Sequence, residues 1–159
     1  MASITESITS QFKSGLKMVK DAIENVPDSR WHDGSGKWFF SQTVYQILEA
    51  MDFYLGSKHE EMKWGKRAGY VWVEDIDIKK DILPKLTKEL VEEYLSEIQN
   101  KLTSVLGKAS EDSLLKKDGF DWFSCVLEKL QYALRHTAHH CGELNLMLRI
   151  WDAPTIKWT

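Results

Sequence analysis

Apolar side chains recur at helical spacing in four stretches of the chain, and the first stretch has well-marked ends. Ser3 and Glu6 form a capping-box pattern at its start, and Pro27 stops it. The sequence therefore predicts a first helix over residues 4–26. Its apolar stripe consists of Ile4, Ile8, Phe12, Leu16, Val19, Ile23 and Val26.

The second and third stretches are bounded by glycines and by a threonine that can act as a cap. After a loop around Gly34 and Gly36, helical spacing predicts a second helix that ends at Gly56. Thr87 is the candidate cap of a third helix, which extends toward Gly107. The second stripe consists of Val44, Ile47, Leu48, Met51, Tyr54 and Leu55, and the third of Leu90, Val91, Tyr94, Leu95, Ile98, Leu102 and Val105.

The fourth stretch carries more apolar side chains than one core face needs. Asp121 is its candidate cap, and its core stripe consists of Val126, Leu127, Leu130, Leu134, Thr137, Cys141, Leu144 and Leu148. Outside that stripe lie Leu146, Met147, Ile150 and Trp151. This second face predicts either a homodimer or cover by the C-terminal tail, with Ile156 and Trp158 folded back.

These elements place the chain in the all-α class, as a single domain over residues 1–159. The link between the second and third helices, residues 56–86, is long and could carry short elements around residues 70–73. A crossover of this length permits the two helices to run parallel. The expected architecture is then a four-helix bundle in up-down-down-up order.

Charge and terminal sequence exclude several classes of partner. The net charge is −3, and basic residues interleave with acidic ones, so no nucleic-acid partner is expected. The first residues lack the pattern of a signal peptide, and no apolar run reaches membrane length. We therefore expect a cytoplasmic protein without a membrane partner.

The two cysteines, Cys125 and Cys141, lie on one predicted helix, about 24 Å apart at 1.5 Å per residue. That separation is too large for a disulfide, so each cysteine is expected to be a small buried hydrophobe. For Cys141, next to His140, a reactive thiol or a metal ligand is the alternative.

A histidine pair on the fourth helix is the strongest chemical signal in the sequence. His136 and His140 are four residues apart, so a helix directs both imidazoles toward one small volume. Two imidazoles suit zinc or nickel, but such a site needs at least one further ligand. The alternative is a surface cluster of histidines. His139 points to another side of the helix.

Two segments resemble a known family. YQILEAMDFYL, residues 45–55, is followed about eighty residues later by LRHTAHHCGELN, residues 134–145. Together they resemble the DinB-like superfamily of metalloenzymes, and the resemblance covers nearly the whole chain. It implies a four-helix bundle in up-down-down-up order, many of whose members are homodimers. It also implies a divalent metal held by one histidine of the second helix and the two histidines of an H-x-x-x-H pair.

The sequence departs from the family at the position after Tyr45, where the helix-two histidine is replaced by Gln46. An amide oxygen is a poorer ligand for zinc or nickel than an imidazole. Glu143, on the face of His140, or Glu49, three residues after Gln46, could complete the set instead. The alternative for Glu143 is a hydrogen bond to a histidine, outside the ligand set.

Helical periodicity alone places the candidate ligands at the edge of the core. At about 100° per residue, His140 lies roughly 90° from the centre of its core stripe, and His136 lies further away. An inward position for these groups is therefore implied by the family and not by the pattern.

The function expected from the resemblance is that of a metal-dependent enzyme. Characterised relatives are thiol transferases and a thiol-dependent isomerase, which predicts a thiol S-transferase or a hydrolase acting on a small molecule. A low-molecular-weight thiol is then the candidate co-substrate, and zinc or nickel the candidate cofactor. The alternative is a non-catalytic bundle that has lost the metal and serves as a small-molecule-binding or dimeric scaffold.

Overall fold

The computed structural model describes residues 3–35 and 38–158, and this part of the chain is mostly helical, as the all-α prediction requires. Four long helices and one short helix are named here in chain order. They are α1 (Ile4–Asn25), α2 (Phe40–Tyr54), α3 (Lys88–Gly107), α4 (Glu111–Leu114) and α5 (Val126–Ile150).

The start of α1 follows its sequence signal. The hydroxyl of Ser3 accepts the Glu6 N–H at 3.1 Å, and the Glu6 carboxylate accepts the Ser3 N–H at 2.8 Å. The predicted capping box is therefore confirmed. The helix ends at Asn25, one residue before the predicted end, with Val26 in extended conformation.

A short hairpin that the pattern did not predict precedes α2. Strands β1 (Gly34–Ser35) and β2 (Trp38–Phe39) pair antiparallel, and α2 begins at Phe40, four residues before the predicted stripe. The Thr43 hydroxyl donates to the Phe39 carbonyl at 3.0 Å in the first turn. Gly36, expected in this loop, lies outside the described residues.

The third predicted helix is confirmed, whereas the cap of the fourth is wrong. Thr87 caps α3 by accepting the Leu90 N–H at 3.2 Å. The fourth predicted helix is α5, which begins at Val126 and not after Asp121. The Glu128 carboxylate accepts the N–H and the hydroxyl of Ser124, at 2.6 and 2.5 Å, and this contact fixes the chain before the first turn.

The crossover between α2 and α3 consists of single turns. Three-residue 3₁₀ turns span His59–Glu61, Lys66–Ala68 and Leu83–Lys85, and a π turn spans Ile78–Ile82. Residues 70–73, where short elements were expected, form neither helix nor strand. Tyr70 is buried against Tyr45, with ring centroids 6.1 Å apart, while Val71 is exposed.

The core lies where the four long helices meet. Helix α1 packs against α3 and α5, and α2 packs against the same two helices. The largest fully buried side chains include Tyr45, Phe12, Phe40 and Phe120. Within residues 3–35 and 38–158, no helix combines the length and the apolar composition that a membrane span requires.

The tail after α5 folds back onto the helices. The Ile156 N–H donates to the Asn145 side chain at 2.9 Å, and the Asn25 amide donates to the Thr155 carbonyl at 3.0 Å. Ile156 is buried, whereas Trp158 is 87% exposed. The tail therefore covers part of the apolar surface of α5 through Ile156 and not through Trp158.

Candidate metal centre

The two paired histidines lie on consecutive turns of α5, with ring centroids 4.5 Å apart. His136 is partly buried, and its Nδ1 is fully buried without a hydrogen-bond partner. Burial, followed by the charges of His140 and His139, lowers the pKa of His136 to about 4. The ring is therefore neutral at physiological pH, which is the form that binds a metal ion.

Glu143 holds the second histidine. The distance from His140 Nδ1 to Glu143 Oε2 is 2.6 Å, and the His140 side chain is 13% exposed. An ionised carboxylate only accepts hydrogen bonds, so Nδ1 carries the proton in the neutral ring and Nε2 keeps its lone pair. Histidines in metal sites are commonly oriented by a carboxylate in this way. Glu143 thus occupies the orienting position described by the alternative above.

His139 belongs to a second, outward-facing set. Its side chain is 68% exposed, and its Nε2 lies 3.3 Å from Glu143 Oε1. One ligand atom from each of His139, His140 and Glu143 lies within 4.8 Å of the others. This set corresponds to the surface-cluster alternative. The outward set shares His140 and Glu143 with the arrangement formed by the His136–His140 pair and its Glu143 hydrogen bond. An ion bound by one arrangement would therefore compete with an ion bound by the other.

Gln46 lies on α2, which packs directly against α5. Its Oε1 is fully buried and has no hydrogen-bond partner, and the same holds for Oε1 of Gln42 one turn earlier. A buried acceptor without a partner costs about 1–3 kcal/mol. A cation or a bridging water would remove that cost for Gln46 and for His136.

These atoms allow a test of whether a divalent ion suits the site. Two neutral imidazoles are good donors for zinc or nickel, and the Gln46 carbonyl oxygen is a weaker third donor. The chemistry of these donors therefore suits such an ion, with two strong ligands and one weak one, and the placement of Gln46 beside the pair is what the motif resemblance implies. The weak position is the one at which the sequence departs from the DinB-like pattern.

Glu49 does not face the histidine pair. Its Oε1 accepts the Gly65 N–H at 2.6 Å, and its carboxylate also hydrogen-bonds with Tyr45. Burial raises the pKa of this carboxyl, and the residue is only 4% exposed. The suggestion that Glu49 completes the ligand set is therefore wrong, because it holds the crossover loop instead.

Cys141 is also unsuited to chemistry at neutral pH. It is 1% exposed, and burial raises the pKa of its thiol to about 12. The thiol therefore stays protonated, and Cys141 acts as a small buried hydrophobe, as expected. Cys125 is likewise free and partly buried.

Two polar residues in buried positions were missed by the sequence analysis. Gln42 shares a face of α2 with Gln46, and Lys129 shares a face of α5 with His136, two turns away. Both are buried, at 7% and 2% exposure. The signal was present, because Lys129 lies three residues after Val126 of the core stripe and Gln42 precedes Gln46 by four residues.

No family model, curated protein or solved structure matches the chain. The interpretation of the site therefore rests on its own geometry and on the motif resemblance.

Proposed function

We propose that the chain is a DinB-like four-helix bundle in which α1, α2, α3 and α5 run up, down, down and up. Contacts at the helix ends support this order for α1 and α3. The Ile4 N–H donates to the Glu111 side chain at 3.2 Å, after the end of α3. At the other end, the Lys88 ammonium donates to the Val26 carbonyl at 3.0 Å. These contacts are typical of antiparallel helices.

The remaining two helices are oriented by similar contacts. Trp31, before α2, donates its indole N–H to the Leu86 carbonyl at 2.6 Å, so α2 and α3 start at the same end. The Lys129 ammonium, in the first turns of α5, donates to the Gly56 carbonyl after the end of α2 at 2.6 Å. These contacts support the proposed order, with α2 and α3 parallel and α5 antiparallel to them.

We further propose that His136 and His140 bind a divalent metal ion, zinc or nickel, with Gln46 as the third protein group and Glu143 orienting His140. The observation that carries this proposal is the His140–Glu143 hydrogen bond beside a neutral His136 whose Nδ1 has no partner. The outward set is less favourable, because the His139 side chain is 68% exposed and water competes there for the ion.

The proposed activity is that of a thiol S-transferase or a hydrolase acting on a small molecule. A bound ion would lower the pKa of a thiol or a water at its open position. In the transferase reaction, the sulfur forms a bond to an electrophilic carbon while the bond from that carbon to its leaving group breaks. The thiol proton leaves with the departing group, so no oxidant or reductant is required. Glu143 keeps His140 in one tautomer throughout.

Metal binding by untagged protein tests this proposal. After incubation with zinc or nickel and desalting, we expect about one ion per chain, and His136→Ala or His140→Ala should each lower affinity at least tenfold. His139→Ala is the matched control on the same turn and should change the affinity little. Metal content below about a tenth of an ion per chain would contradict the proposal and favour the non-catalytic scaffold. Losses in His139→Ala and His140→Ala without a loss in His136→Ala would assign the ion to the outward set. Equal losses in all three variants would indicate a surface cluster of histidines.

We also propose that the protein is a two-fold dimer through α5. Leu146 and Ile150, one turn apart, are 56% and 68% exposed, while Met147 is buried and Trp151 packs on Phe40 with ring centroids 5.7 Å apart. Two of the four apolar residues of this face therefore stay open to a partner. A self-complementary patch of this kind is the usual basis of a homodimer.

A further inference from the structure

A cavity of about 790 Å³ lies between the segment before α2, the end of the crossover and the end of α5. The apolar part of its wall consists of Phe39, Leu83, Pro84 and Trp151. The polar part consists of Arg30, His32, Asp33 and Lys79, and Gly34 completes the lining. A cavity with apolar walls and a few convergent polar groups is the usual form of a small-molecule site.

Lys79 brings an unpaired cationic group to this cavity. Its Nζ lies 5.7 Å from the centre of the Phe39 ring, which belongs to the cavity wall. Within residues 3–35 and 38–158, no oxygen accepts a hydrogen bond from this ammonium and no carboxylate pairs with it. All three of its N–H donors are therefore available to a ligand.

The acidic side chains next to Lys79 in the sequence are engaged elsewhere. The Asp77 carboxylate pairs with the Lys80 ammonium at 3.6 Å and accepts the backbone N–H of Lys79 at 3.0 Å. The Asp81 carboxylate accepts the Asp77 N–H at 2.9 Å. Neither carboxylate forms an ion pair with the Lys79 ammonium, so its charge is open to an anion from outside the chain.

The segment before α2 supplies further donors. The Arg30 guanidinium lies 5.8 Å from the centre of the Trp151 ring, and its Nη1 donates to the Asp33 carboxylate at 2.7 Å. This bond uses one of five guanidinium N–H groups, and Asp33 is the only carboxylate among the described residues that line the cavity. The Nδ1 of His32 lies 2.9 Å from the Ser41 hydroxyl, which leaves Nε2 for a ligand. Two cations against one carboxylate give the lining a net positive charge.

We propose that this cavity binds a phosphate monoester of an aromatic alcohol, whose phosphate accepts hydrogen bonds from Lys79 and Arg30 while its ring lies against the apolar wall. The donors come from two segments, and the three terminal oxygens of a phosphate monoester accept from both at once. The aromatic and apolar side chains of the wall suit a ring. The site is distinct from the proposed metal centre, because neither His136 nor His140 lines the cavity.

Calorimetric titration of the whole protein with phenyl phosphate tests the proposal, with phenol as the uncharged probe that has the same ring and inorganic phosphate as the probe without a ring. We expect phenyl phosphate to bind about tenfold more tightly than phenol, since charge-assisted hydrogen bonds are gained. It should also bind about tenfold more tightly than inorganic phosphate, since its ring buries apolar surface. Equal affinity for either pair would overturn the proposal on the unmodified protein. Benzoate that binds as tightly as phenyl phosphate would overturn the assignment of a phosphate.

Variants locate the binding site. Lys79→Gln should weaken the binding of phenyl phosphate about tenfold while leaving the binding of phenol unchanged. Lys80→Gln is the matched control, because Lys80 is 82% exposed, pairs with Asp77 and does not line the cavity. His136→Ala should leave the affinity unchanged, which separates this site from the metal centre. An equal effect of Lys79→Gln and Lys80→Gln, or a loss of binding in His136→Ala, would contradict the assignment.

Discussion

Gln46 is the residue on which the strength of the proposed metal site depends most. A third imidazole at this position completes a set that zinc and nickel prefer, so Gln46→His should raise the affinity for either ion at least tenfold. Calorimetry measures the change. Gln42→His is the control, since its oxygen is also buried without a partner one turn earlier. No gain from Gln46→His, or the same gain from both variants, would mean that Gln46 does not face the histidine pair.

Glu49 should make stability depend on pH. Its pKa is raised by burial, so the stability contributed by the protonated carboxyl is fully present below the ordinary pKa and is lost as pH rises through the raised value. Glu49→Gln replaces the carboxyl group with a neutral amide of similar shape. The amide does not ionise, so the variant does not lose stability as the pH rises. Urea unfolding should therefore show the variant gaining stability relative to the unmodified protein as the pH rises above the ordinary carboxyl pKa of 4.5.

The exposed carboxylate of Glu93 provides the control for that experiment. Glu93→Gln should change the free energy of unfolding by no more than about 0.5 kcal/mol at any pH. A difference between Glu49→Gln and the unmodified protein that stays constant with pH would contradict the role assigned to burial.

Contacts between side chains one turn apart on a helix could be predicted from their spacing in the sequence. Contacts between segments that are distant in the sequence could not. The three-residue spacing of His140 and Glu143 predicts a shared face, and a hydrogen bond of 2.6 Å joins them. The orientation of Glu49 depends on Gly65, sixteen residues away in a loop. Gly65 has a φ of +76°, and a Cβ there would lie 2.5 Å from the Tyr70 ring, so the loop path requires glycine.

Helix α3 illustrates how a single cap stabilises a whole element. Thr87→Ala removes the acceptor of the Leu90 N–H and should lower the free energy of unfolding by about 1 kcal/mol. Thr103→Ala is the matched control within α3, where the hydroxyl only donates back to the Gln99 carbonyl. It should be neutral or slightly stabilising, because alanine is the better helix former. Chemical denaturation distinguishes the two, and equal effects would show that the cap contributes nothing specific.

Helix boundaries were predictable where the cap is local in sequence. Ser3 and Thr87 act on N–H groups three residues away, and both were identified. The start of α5 was misplaced, and no start was predicted for α2, for a different reason. A hairpin leads into α2, and the Glu128 carboxylate holds Ser124 before α5, so in each case the start depends on a second segment or a competing acceptor.

The assembly of the whole molecule is expected to depend on the exposed face of α5. Sedimentation at micromolar concentration should give a species of about twice 18.5 kDa for the unmodified protein. Leu146→Glu should shift it to the monomer, because a buried unpaired carboxylate opposes association. Val71→Glu, a change at a 74% exposed apolar residue of the crossover, is the control and should leave the dimer intact. A single 18.5 kDa species for the unmodified protein would reject the dimer.

The contact between Asn25 and the tail has a consequence for protein engineering. Because Asn25 binds Thr155, the tail lies at the end of α1 opposite to Ser3. A helix of 22 residues is about 33 Å long. A peptide designed to join the tail at Thr155 to Ser3 would therefore have to span about ten extended residues.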